Sequence, residues 1–148
     1  MKKILLGFGL VVFSLFYTST ISAQGQTCAT IEPFCAGEDS LIFPNCNDSD
    51  PTCTPTAEPG PDYDCVFTQP YPAWFYLQLD QAGRLDFRII QNTSFDANGN
   101  PNGAQLDVDF VAWGPFNDVD NLCDYTQLQD QNQVGCSYST AAVENFSI

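Results

Sequence analysis

The chain has 148 residues, with 18 acidic side chains, four basic ones and no histidine, and its formal charge is −14. This charge repels nucleic acids and anionic lipids, so neither is an expected partner. Without histidine, the common zinc sites and the base-activated nucleophiles of hydrolases lack their usual residues, and we expect no enzyme activity.

Residues 1–23 predict a secretory signal peptide. Lys2 and Lys3 form its charged start, residues 4–17 form an apolar run too short for a comfortable membrane span, and Ala23 offers a cleavage site. Cleavage removes two of the four basic residues and leaves residues 24–148 as one mature domain of charge 2 − 18 = −16. We therefore expect a secreted protein, extracellular or at the cell surface, with no membrane insertion after cleavage.

The next predicted elements are strands separated by a long loop. Residues 41–43 predict a brief strand, and residues 45–69, rich in Pro, Asp, Thr and Cys, predict a loop. Residues 73–80 are apolar on both faces, whereas residues 84–91 alternate apolar and charged side chains. Because only a short turn containing Gly83 separates these two runs, they predict a β-hairpin.

The segment DVDFVAWGPF, residues 107–116, gives the clearest strand pattern. Its two-residue period, including Leu106, predicts a core face and an acidic outer face. The core face would carry Leu106, Val108, Phe110 and Ala112, and the outer face Asp107, Asp109, Val111 and Trp113. Residues 117–131 then predict one short surface helix, and residues 143–148 the start of a last strand. These elements indicate an all-β sandwich.

All seven cysteines follow the predicted signal peptide, which indicates disulfides formed in an oxidising compartment. The proximity of Cys46 to Cys53 favours a bond between them, and Cys123 with Cys136 would close a loop of about 14 residues, worth about 3 kcal/mol. We also expect Cys35 and Cys65 to be disulfide-bonded, and the spacing leaves the partner of Cys28 open. Since seven is odd, one thiol is free or its partner lies outside this sequence. The strand that only begins at residues 143–148 favours the second alternative, an N-terminal part of a longer protein.

Several sequence blocks occur in an order that resembles a known domain family. The blocks are CATIEPFC (residues 28–35), PAWFYLQL (72–79) with Gly83 following, DVDFVAWGPF (107–116), CSYS (136–139) and VEN (143–145). Together they resemble the N-terminal jelly-roll-like domain of large secreted proteins that are gliding-motility-associated and exported by type IX secretion. The resemblance implies a disulfide-linked jelly-roll β-sandwich at the cell surface, with further strands and another cysteine after Ile148. It implies no particular activity.

The DANGN loop and the acidic strand face predict a calcium site. Calcium prefers six to eight oxygen ligands, and alternating Asp and Asn side chains in a tight loop can supply several. The candidate ligands are Asp96, Asn98, Asn100, Asp107 and Asp109. An EF-hand is excluded because Pro101 occupies the position of its required glycine and no helices flank the loop. The alternative is a plain turn, which Asp and Asn favour on their own.

Aromatic side chains give the second candidate site. Trp113 shares the acidic face near the end of its strand, and Tyr71 is a further ring that could stack on a sugar. The alternative is core packing, which is the default for aromatic side chains in strands. Two functions follow from the sequence. The first is adhesion or structural display at the cell surface, with calcium as a stabilising ion and an extracellular glycan or surface protein as partner. The alternative is a carbohydrate-binding module that accompanies an extracellular enzyme.

Overall fold

The computed structural model describes residues 25–34, 41–117 and 119–148, and it shows a chain built from short strands with almost no helix. The strands are β1 (Glu32–Phe34), β2 (Phe75–Leu77), β3 (Asp86–Asn92), β4 (Gln105–Leu106), β5 (Phe110–Trp113), β6 (Gln133–Ser137) and β7 (Val143–Ser147). Single 3-10 turns span Cys28–Thr30, Val119–Asn121 and Asp130–Asn132. The predicted signal peptide, Cys35 and Asp118 lie outside the described residues.

The strands form three small sheets. β1 pairs with β2 in parallel, β3 lies between β4 and β7 in an antiparallel sheet, and β5 pairs with β6 in an antiparallel sheet. The predicted hairpin of residues 73–80 with 84–91 is therefore wrong, because β2 finds its partner in β1 and β3 finds its partners later in the chain. Residues 41–43 also form no strand.

Phe146 of β7 joins the two antiparallel sheets. Its ring stacks on Phe87 of β3 at 4.6 Å between centroids and on Phe110 of β5 at 4.5 Å. Gly135 of β6 faces this stack, and a Cβ added there would lie 2.9 Å from the Phe146 ring. A glycine is thus required where β6 passes the aromatic stack, because any side chain would enter the volume that the rings fill.

The predicted strand over residues 106–113 is divided between two sheets. Leu106 pairs with β3 and is 41% exposed, whereas Phe110–Trp113 pair with β6. Val108, between the two pairings, is buried as predicted. The register of β5 shifts between Ala112 and Trp113, and Trp113 packs against the core cluster. The predicted outward orientation of Trp113 fails because such a shift breaks the two-residue alternation.

The predicted surface helix over residues 117–131 is replaced by turns. The Asp124 carboxylate accepts hydrogen bonds from the backbone N–H and the hydroxyl of Thr126, and the Asn132 side-chain amide donates to the Gln127 carbonyl. Such local side-chain bonds to the backbone compete with helical hydrogen bonds. Of the apolar residues at helical spacing, Leu128 is 3% exposed and lies in the core, and Tyr125 packs against the core cluster.

The buried core is small and is held by disulfides. Its central cluster consists of Cys28, Trp74 and Leu128. Three disulfides occur among the described residues, Cys28–Cys123, Cys46–Cys53 and Cys65–Cys136, with sequence separations of 95, 7 and 71. Such bonds are typical of small extracellular domains, and they indicate an oxidising environment.

The disulfide connectivity corrects one prediction and confirms another. Cys46 bonds to Cys53 as their proximity suggested. Cys123 bonds to Cys28 and not to Cys136, because the turns over residues 119–132 place Leu128 in the core and bring Cys123 beside the first 3-10 turn. Cys136 lies on β6 and bonds to Cys65. Cys28, for which the sequence offered no partner, is thus paired within this chain.

In the part of the chain that the structure describes, no helix is both long enough and apolar enough to cross a membrane.

Candidate functional site

Trp113, a predicted ligand-binding residue, packs inside an aromatic cluster. Its ring stacks on Trp74 at 5.7 Å between centroids with planes 10° apart, and its neighbour Tyr63 meets it edge-on at 6.0 Å. The Tyr63 hydroxyl donates to the Glu58 carbonyl at 2.7 Å, and burial raises the pKa of Tyr63 above its usual range. Since one face of Trp113 lies against Trp74, the ring offers a sugar at most its other face.

Tyr71, the second predicted ligand-binding residue, lies in a turn that follows an isolated bridge between Thr56 and Pro70. Its backbone has a φ of +51°, and its N–H donates to the Pro55 carbonyl at 3.3 Å. A positive φ in a bulky residue needs support from its surroundings, and this bond supplies part of that support. The position of Tyr71 is therefore determined by the turn. A sugar contact at either predicted ring stays a prediction.

Asp96, Asn98 and Asn100, three of the predicted calcium ligands, form one closed turn. The backbone N–H groups of Asn98 and Asn100 donate to Asp96 Oδ1 at 2.8 and 2.9 Å, and the Asn100 side-chain amide reaches both carboxylate oxygens. These bonds, the Asn100 backbone bond foremost, hold the pKa of Asp96 below its usual value. The Asp96 carboxylate therefore already serves the turn as a hydrogen-bond acceptor.

Asp107 and Asp109, the other two predicted ligands, lie near a different segment. The Ser139 N–H donates to Asp109 Oδ1 at 3.0 Å, and the Ser139 hydroxyl donates to Glu144. Burial raises the pKa of Asp109, and the charges of Asp107 and Glu144 add to the rise, against the lowering effect of the Ser139 bond. The charges of Asp107 and Glu144 thus both disfavour the ionised form of Asp109. The sequence did not predict a role for Glu144, because nothing in the pattern of its strand indicates a contact with Ser139.

A metal ion requires several ligand side chains that converge on it. Among residues 25–34, 41–117 and 119–148, no group of three or more His, Cys, Asp or Glu side chains is arranged to hold one. Asp96 accepts hydrogen bonds within its turn, and Asp109 accepts one from Ser139. Calcium binding at this edge stays a prediction.

The sequence did not single out the most exposed aromatic pair. Phe67 is 79% exposed and Tyr138 is 48% exposed, and their rings meet at 5.4 Å between centroids with planes at 85°. Each ring lies two residues after a cysteine of the Cys65–Cys136 disulfide. The repeated pattern of cysteine, one residue and an aromatic ring was visible in the sequence, but only the disulfide connectivity brings the two rings together.

An open depression lies over β3 and β7, with a volume of about 340 Å³. Its lining residues are Asp86, Phe87, Arg88, Asn145, Phe146 and Ser147. The hydroxyl of Ser147 and the guanidinium of Arg84 hold the pKa of Asp86 below its usual value. The Arg84–Asp86 ion pair, at 2.8 Å, is highly exposed and contributes little to stability. The depression presents no activated acid, base or nucleophile.

The described residues define a class, a β-rich domain with small sheets, two of them antiparallel, and three disulfides. No protein-family model, no curated protein and no solved structure matches the chain.

Proposed function

We propose that this chain is an extracellular domain for adhesion or structural display at the cell surface. The disulfides are the observation that carries the proposal. Five hydrophobic residues are buried in the described part of the chain, and two of its three disulfides link segments 71 and 95 residues apart. A domain with such a small core depends on covalent links, and those links persist outside the cytosol. The proposal assigns no catalytic activity to the domain.

The jelly-roll-like sandwich and the gliding-motility-associated family belong to the same proposal. Two antiparallel sheets that share an aromatic contact through Phe146 support the sandwich. The disulfides support signal-peptide cleavage after Ala23 and export to the surface, since disulfides form during or after transport to an oxidising compartment.

Immunolabelling of intact cells tests the location. An antibody against residues 24–148 should label intact producing cells, or material released from them, and the labelled chain should begin at Gln24. Beads coated with the oxidised chain should attach to such cells more than beads coated with the chain after reduction and alkylation. Labelling that requires permeabilised cells would reject the proposal, and attachment that is independent of the disulfides would reject the adhesive role.

A carbohydrate-binding module is the second candidate, because exposed aromatic rings on a rigid base are typical of sugar-binding surfaces. The exposed pair Phe67 and Tyr138 favours it. A glycan array separates the two candidates, since a sugar-binding module binds a defined oligosaccharide whereas a display domain binds none. Loss of the array signal in Trp113→Ala, with the fold retained, would place the sugar at the ring that the sequence predicted.

A further inference from the structure

We propose that Phe67 and Tyr138 form a two-walled aromatic corner that binds lysine or arginine side chains of a basic protein segment. This inference rests on the proposed surface function and names the partner of that domain. In an edge-to-face pair, the ring that points its edge at the other and the ring that it meets form a corner with two π faces. Here the two ring planes stand at 85° to each other. A cation in such a corner is attracted by both faces, as in the aromatic cages that bind ammonium groups.

The corner is held rigidly although its rings are exposed. Cys65 and Cys136, each two residues before one of the rings, are bonded to each other, and Val66, next to Phe67, is 7% exposed. The Val66 N–H donates to the Tyr63 carbonyl at 2.9 Å, and the Gln69 side-chain amide donates to the Val66 carbonyl. A preorganised site loses little conformational entropy when a ligand binds.

Charge decides the partner. The mature chain carries 18 acidic and two basic side chains, and both arginines lie at or near β3. Carboxylates lie in the chain on either side of the corner, with Asp64 three residues before Phe67 and the Asp109–Ser139–Glu144 contacts beginning one residue after Tyr138. A basic segment is drawn to this surface by the long-range field and then held by the rings. A neutral glycan gains nothing from that field, so the charge favours a basic partner over a sugar at these rings.

Binding of a short peptide of alternating arginine and glycine to oxidised residues 24–148 tests the inference. Phe67→Ala removes no charge, so any loss of affinity reports on the ring. We expect Kd to rise about fivefold in Phe67→Ala and further in the double variant with Tyr138→Ala, while Tyr138→Phe keeps most of the affinity. Leu79→Ala is the matched control, because Leu79 is 45% exposed and takes no part in the corner.

The salt dependence and a sugar competitor complete the test. Raising sodium chloride from about 50 to about 300 mM should weaken peptide binding, since it screens the acidic surface. Equal affinity of wild type and Phe67→Ala would overturn the inference, because the acidic field alone would then explain binding. Displacement of the peptide by a neutral oligosaccharide would overturn it in favour of a sugar site. If the chain binds the peptide but does not reach the cell surface, the proposed function is rejected. The inference that the aromatic corner binds basic side chains is then still supported.

Discussion

Trp74 and Trp113 stack in parallel at the centre of the domain, with ring centroids 5.7 Å apart. One tryptophan comes from the segment before β2 and the other ends β5, so the contact joins distant parts of the chain. Both indole N–H groups are buried without a hydrogen-bond partner in the described structure. The stack therefore contributes through packing, and it offsets the cost of two unpaired donors.

The stack predicts a structural role for Trp113. Trp113→Ala should lower the free energy of unfolding by about 2–3 kcal/mol, toward the lower end for a large aromatic residue because the ring is only partly buried. Phe67→Ala is the control, since Phe67 is 79% exposed and should change stability little. Urea unfolding measures both. An unchanged free energy of unfolding in Trp113→Ala would contradict this structural role and favour the predicted role of the ring in ligand binding.

The loop lengths predict how much each disulfide contributes. Removing Cys28–Cys123 or Cys65–Cys136 by paired Cys→Ser substitutions should cost about 4–5 kcal/mol each, and removing Cys46–Cys53 about 2 kcal/mol, because a longer loop loses more entropy on closure. Thermal unfolding of the three double variants gives the order. Peptide mapping without reduction checks the connectivity, and a linked Cys123–Cys136 peptide would contradict it.

The close approach of Gly135 to Phe146 predicts that one added methyl group at residue 135 destabilises the domain. Gly135→Ala should destabilise the domain by about 1–3 kcal/mol, because the new Cβ would lie 2.9 Å from the Phe146 ring and displace the stack that joins the sheets. Gly83→Ala is the matched control, since its Cβ would meet nothing within 4 Å. Equal unfolding midpoints for the two variants would show that the Phe146 contact contributes nothing.

The raised pKa of Asp109 predicts a pH dependence. A carboxyl that binds its proton more tightly in the folded state destabilises that state once ionised, so its penalty is present above the folded pKa. Stability should therefore rise slightly as the pH falls through the raised folded pKa of Asp109 toward its ordinary value. Asp109→Asn keeps an acceptor for Ser139 and should remove this rise. Unfolding free energies of both proteins across acidic pH measure the difference, and parallel curves would contradict it.

The lowered pKa of Asp96 predicts a pH dependence of stability with the opposite sign to that of Asp109. The folded pKa of Asp96 is lowered, so the stability it adds is present above the ordinary pKa and is lost as the pH falls through the folded one. Asp96→Ala should lower the melting temperature by the same amount with and without millimolar calcium, because the carboxylate serves the turn. A melting temperature that rises with calcium, and no longer does so in the Asp96→Ala, Asp107→Ala double variant, would support the predicted calcium site instead.

Local patterns predicted much of what is local in the fold. The strand patterns at residues 73–80, 84–91 and 143–148 correspond to β2, β3 and β7, and Cys46 bonds to its near neighbour Cys53. The helix over residues 117–131 failed although its spacing was helical. Asp124 and Asn132 form backbone contacts there that a periodicity pattern does not weigh.

The candidate sites likewise divide into local features, which the sequence could predict, and contacts between distant residues, which it could not. The Asp96 turn could be foreseen, because its bonds join residues within four positions of one another. The stacking of Trp113 on Trp74 could not be foreseen, since it accompanies a register shift beside Trp113. The pair of Phe67 and Tyr138 was invisible for a similar reason, because it exists only once Cys65 has bonded to Cys136.

The sequence by itself determined the acidic charge, the β-rich composition and the cysteine content, since each follows from residue type and short-range spacing. Only the tertiary structure decided which strands pair, which cysteines bond and which aromatic rings remain exposed. Those outcomes depend on contacts between residues far apart in the chain, such as Cys28 with Cys123, and the free energy of a distant contact leaves no periodic signal in either segment.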